Sequence, residues 1–70
     1  MLFIVKRTVQ GAKTYLSELT CRRGVLTTIW TAKVGEAVRF QEVVAVDIAL
    51  CIQDELNVTG TINAEGDGKP

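Results

Sequence analysis

Histidine is absent from this chain, proline occurs once, and only four aromatic residues are present: Phe3, Tyr15, Trp30 and Phe40. Lacking histidine, the chain is without the usual general base, the commonest metal ligand and the simplest switch near neutral pH. A metal-stapled fold and most hydrolytic mechanisms are therefore poor fits. Long apolar runs are missing too: no stretch approaches the ~18 residues a membrane span needs. The start, MLFIVKRTV, is too short for a signal sequence and carries its basic pair, Lys6 and Arg7, on the wrong side. The expectation is a soluble, cytoplasmic protein with no membrane attachment and no cofactor.

The two cysteines, Cys21 and Cys51, read as free thiols in a reducing compartment, used as small apolar fillers. A nucleophilic role for Cys21, with Arg22 and Arg23 beside it, lacks a base. Phosphate loops, dinucleotide fingerprints and metal-ligand spacings do not occur. No catalytic residue is predicted, and the chain is expected not to be an enzyme. A domain of 70 residues buries only roughly 60 to 65% of the surface its unfolded form exposes. Without disulfides or metal, association with a partner becomes the leading source of extra stability.

What is present is patterned. LFIVKRT, KTYLSELTC and VLTTIWT are rich in β-branched and aromatic residues and are separated at Gly11 and Gly24, which predicts a three-stranded antiparallel meander. AKVGEAVRF reads as one irregular helical turn before Phe40. Residues 41–56, QEVVAVDIALCIQDEL, hold no glycine or proline and are too long for a strand, so they are assigned to a helix stopped at Asn57. VTGTINAE returns as a final strand. The predicted fold is α+β: a small antiparallel sheet of a meander plus a C-terminal strand, with one helix on one face. Residues 1–65 form the domain and 66–70 a flexible tail. Trp30 is expected to end a strand on the helix-receiving face, with Ala37 beneath it and Phe40 closing the edge. Its truncation to alanine should then cost roughly 3 to 5 kcal/mol.

Charge divides the chain. Residues 1–40 hold seven cations against Glu18 and Glu36, a net +5, whereas residues 41–70 hold Lys69 against six acids, a net −5. On a helical wheel, Val44, Ala45, Ile48, Ala49, Cys51, Ile52 and Leu56 form the stripe expected on the sheet. Val43, Val46 and Leu50 form a second stripe nearly opposite, flanked by Asp47 and Asp54 on one side and by Glu42 and Gln53 on the other. A helix on a sheet normally shows water a polar back. This ridge is therefore either a set of tolerated surface aliphatics, or covered by the tail or a loop, or a contact surface for a homodimer or another protein, and Val43, Val46, Asp47, Leu50 and Asp54 are its candidate residues. Lys6, Arg7, Arg22 and Arg23 on the meander are candidate phosphate contacts, which keeps nucleic-acid binding as an alternative. A third reading is an inhibitor whose acidic helix mimics phosphate.

The pattern Tyr15-Leu16, Trp30-Thr31, Ala37 and Phe40 before an alanine-containing helix, preceded by FIVKR, resembles short accessory proteins encoded by bacteriophages and prophages. The resemblance covers roughly residues 2 to 52. It implies a protein that acts by binding a host protein, and it transfers no functional residue.

Overall fold

The computed structural model describes residues 1–56 and 58–67. Its strands are β1 (Phe3–Val9), β2 (Ala12–Arg22), β3 (Val25–Thr31) and β4 (Thr61–Gly66), and its helix is α1 (Glu42–Cys51). They form one antiparallel sheet in the order β3-β2-β1-β4 with α1 on one face, the α+β arrangement expected from the residue pattern. Two two-residue turns build the meander. Gln10–Gly11 and Arg23–Gly24 all have positive φ, of 50°, 84°, 52° and 77°. That is the type I′ geometry whose twist matches the flanking strands.

The buried cluster contains Val5, Leu16, Ala45, Ala49, Ile52 and Ile62, with Phe3, Leu19, Leu26, Trp30, Phe40 and Ile48 packed on it. The two alanines on the inward side of α1 let its backbone approach β1 and β4, the strands it packs against. Beyond Cys51 the helix widens into a π turn, Ile52–Leu56, which carries Gln53 to β4, where its side-chain oxygen accepts from the Ile62 N–H at 3.2 Å. The expected stop at Asn57 lies outside the described residues.

The feature that sequence patterning misses lies at the opposite end of the sheet. Paired strands β1 and β2 run only as far as Lys6 opposite Tyr15, and beyond that point residues 38–40 stand between them. The Val38 N–H donates to the Leu16 carbonyl at 3.0 Å, while Phe3 and Phe40 exchange two backbone bonds of 2.8 Å. A bulge in β2 between Leu16 and Glu18 falls at the same place, and the Ser17 hydroxyl donates to the Ile29 carbonyl.

Arg39 fixes this insert from outside. Its guanidinium donates to the carbonyls of Ala37 (2.6 Å), Gly35 (3.3 Å) and Val34 (3.4 Å), gathering the single 3-10 turn Val34–Glu36, and its Nε meets Asp67 at 3.2 Å. The Asp67 side chain is only 6% exposed. The flexible tail expected from residue 66 onward is thus corrected: Gly66 belongs to β4 and Asp67 is pinned by Arg39, while residues 68–70 lie outside the described residues.

Trp30 does sit near the end of β3 and packs on the core cluster, but it is half-buried. Its indole N–H donates to Thr28 Oγ1 at 3.0 Å, and the Arg7 guanidinium lies 5.9 Å from the ring centroid. Ala37 is buried at the end of the 3-10 turn, just before the insert, and is not a member of the cluster Trp30 packs on. Two stability outcomes follow, both read by urea denaturation. Trp30→Ala costs about 2 kcal/mol, below the 3 to 5 of a fully buried tryptophan. Arg39→Ala costs about 2 to 3 kcal/mol because several bonds to a charged donor are lost at once, and Arg39→Lys recovers only a minor part, lacking the planar fork.

Candidate interaction surface

Between Glu42 and Cys51, the only charged residues of α1 are Glu42 and Asp47, so apolar side chains must occupy more of the helix surface than the sheet can cover. Val43, Val46 and Leu50 are 65%, 41% and 58% exposed. Asp47 and Asp54 are exposed beside them, Asp54 from the π turn. The structure therefore keeps the five candidate residues on one helical segment, and among the described residues no loop or strand covers the ridge.

Two residues assigned to the sheet-facing stripe belong elsewhere. Val44 is 42% exposed and Cys51 is exposed. The reason is the narrow support: a helix seated on β1 and β4 through Ala45, Ala49 and Ile52 buries a thin arc, and the flanks point sideways over nothing. On the flank above β2 and β3 this leaves a cavity of about 190 Å3 lined by Leu19, Leu26, Asp47, Ile48, Cys51 and Ile52. The sheet face under it is apolar and only half roofed. Sequence periodicity cannot reveal this, because it reports which side of a helix is apolar and not how many strands lie under it.

The four basic candidates are not brought together. Lys6 pairs with Glu65 at 3.3 Å, and Arg7 donates to the Thr59 carbonyl at 2.8 Å while stacking over Trp30, so both have structural partners. Adjacent in a strand, Lys6 and Arg7 also point to opposite faces of the sheet. Arg22 lies at the other end of β2, seven residues from the Tyr15 that faces Lys6, which is roughly 23 Å along a strand. Arg22 and Arg23 remain as an exposed pair at the β2–β3 turn, beside a second surface depression of about 270 Å3 lined by Thr20, Arg22, Val25 and Thr27.

Neither cysteine fills the core as expected; both are exposed thiols. The carboxylate of Glu55, above all, raises the pKa of Cys51, with Asp54 adding to it, so Cys51 holds its proton more firmly than a free cysteine does. A raised pKa means less thiolate at any pH near neutrality, the opposite of what a nucleophile needs. Among the described residues no group of three or more histidine, cysteine, aspartate or glutamate side chains could hold a metal ion, and no helix is long and apolar enough to cross a membrane. The chain matches no protein-family model and shows no match to a curated protein or a solved structure.

The Cys51 environment can be checked by alkylation. In a Cys21→Ser background at pH 8, Glu55→Gln should speed the reaction of Cys51 with iodoacetamide by roughly two- to fivefold, since removing the neighbouring charge enlarges the thiolate fraction. An unchanged rate would mean that Glu55 does not act on the thiol.

Proposed function

We propose that this is a non-enzymatic interaction protein of phage or prophage origin, acting in the cytoplasm of a bacterial host, whose working surface is the outer face of α1. The observation that carries this reading is the exposed ridge of Val43, Val46 and Leu50, rimmed by Asp47 and Asp54 and widened by Val44. Each ridge side chain is roughly half exposed, leaving about 2 to 4 kcal/mol of transfer free energy to be gained by covering all three. Association costs consume much of that, so a partner must add contacts of its own. The acidic rim favours a host protein with basic groups around an apolar patch; two copies meeting ridge to ridge would set like acidic rims against each other, which makes self-association through this face the weaker alternative. The resemblance to phage accessory proteins supports the host-protein alternative.

Because the ridge is exposed, Val46→Asp and Leu50→Asp should change stability by less than about 1 kcal/mol. Each should weaken binding through this face at least tenfold. Affinity capture from bacterial lysate, beside sedimentation velocity of the free protein, reads both branches. A wild type that captures nothing and stays monomeric at tens of micromolar would remove the reading.

A nucleic-acid reading keeps one specific observation, the exposed Arg22–Arg23 pair at the hairpin tip. It predicts retention on DNA or RNA at low salt that weakens steeply with ionic strength and with Arg22→Ala and Arg23→Ala together. With Lys6 and Arg7 engaged elsewhere, two cations make a small footprint, and the helix face is the better supported surface.

A further inference from the structure

The two edges of the sheet are treated differently. At the β4 edge, Gln53 folds over the strand and takes up the Ile62 N–H, and Glu65 adds a charge. Among the described residues, nothing protects the β3 edge in this way. Val25–Thr31 reads VLTTIWT, seven residues without a charge or a proline, and the bulge that could blunt it lies in β2 instead. Native sheets usually guard an edge of this kind with a charge, a proline, a bulge or a covering segment. Among the described residues, no backbone–backbone hydrogen bond outside the ladder with β2 involves residues 25–31.

Which backbone groups face outward follows from two independent features. The two-residue turn at Arg23–Gly24 makes Arg22 and Val25 its closing, hydrogen-bonded pair. The Ile29 carbonyl accepts from Ser17 on β2. Val25, Thr27, Ile29 and Thr31 therefore direct their N–H and C=O groups to β2. Leu26, Thr28 and Trp30 direct theirs to the open edge.

We propose that two copies of this chain join by antiparallel pairing of β3 with β3 about a two-fold axis at Thr28, making one continuous eight-stranded sheet. The register is self-complementary. Leu26 falls opposite the second copy's Trp30, Thr28 opposite Thr28, and Trp30 opposite Leu26. All three are outward-facing pairs, and together they form about six backbone hydrogen bonds. On the helix side, each Leu26–Trp30 pair is an aliphatic–aromatic contact of the type that stabilises sheets. On the reverse side, Thr27 meets Ile29 and Val25 meets Thr31, and both Val25 and Ile29 are at least half exposed in the single chain. No like charges meet within the seven paired residues.

The axis is perpendicular to the sheet, so both α1 helices stand on the same face. The two half-roofed grooves over β2 and β3 merge into one apolar floor between them. The outer faces of α1 stay free. A different protein can then engage two identical ridges at once, with the gain in avidity that bivalence gives. This pairing uses a surface separate from the α1 ridge and stands or falls independently of it.

The test is charge exchange at the axis. Thr28→Lys and Thr28→Glu each set like charges directly opposite one another and should each weaken the dimer at least tenfold by sedimentation. Mixing the two in equal amounts, where lysine faces glutamate, should restore it. Leu50→Asp should leave the dimer intact, which separates this interface from one built on the α1 ridge. In the unmodified protein, amide hydrogen exchange should slow with rising protein concentration at Leu26, Thr28 and Trp30, and stay constant at Thr27 and Ile29. A wild type that is monomeric at about 100 μM, folded variants that do not recover on mixing, or concentration-independent exchange at Leu26, Thr28 and Trp30 would each overturn the proposal. The exchange measurement decides the matter even if both Thr28 variants fail to fold.

Discussion

Beyond the Lys6–Tyr15 pair, β1 and β2 part, and the backbone groups released there would be buried without partners unless something entered the gap. Residues 38–40 enter it, with three backbone bonds of 2.8 to 3.0 Å to Leu16 and Phe3. Only a segment in extended conformation can do this, which is why the chain does not pass directly from β3 into a helix. Arg39, in the middle of the insert, cannot point inward with Phe40 and turns out to collect three carbonyls and Asp67. One side chain thereby ties the β3–α1 connection to the end of β4. Substitutions at Arg39 should consequently affect the ordering of the whole end of the sheet.

The same insert decides where α1 lies. Once Phe40 is bonded to Phe3 on β1, the helix that starts at Glu42 must begin over β1, and the alanines at 45 and 49 seat it closely between β1 and β4. The cost appears on the other half of the sheet. Leu19, Leu26 and Trp30 face the helix layer but have no helix above them, and a shallow apolar cavity opens beside Ile48 and Cys51. A single ten-residue helix is too narrow to roof four strands, so a chain of this length either leaves apolar surface open or closes it with another chain.

Most of the architecture was legible because it rests on local signals. The two glycine-marked turns, the strand-like composition of three segments and the length of the run from Gln41 each report on their own neighbourhood. The α1 ridge was legible for the same reason, since helical spacing places Val43, Val46 and Leu50 together whatever the helix rests on. What escaped reading depends on contacts between distant residues. Asp67 sits in a glycine-flanked stretch that reads as a tail, and nothing local says that an arginine 28 positions earlier will claim it. The exposure of Val44 and Cys51 depends on how many strands lie under the helix, and the scattering of Lys6, Arg7, Arg22 and Arg23 depends on strand length and on the partners Glu65, Thr59 and Trp30.

The two surfaces that remain unsatisfied differ in chemistry, and this argues for different occupants. The α1 ridge offers side chains only, apolar in the middle and acidic at the rim, and any partner with a complementary patch can cover it. The β3 edge offers backbone donors and acceptors in fixed alternation, so it demands another strand in a defined register. A chain of this size holds few strands of its own to offer, and β3 is the one whose residues complement themselves about a central threonine. In the proposed pairing, directional hydrogen bonding would select a second copy at the edge and would leave the less directional apolar ridge for a protein of another kind.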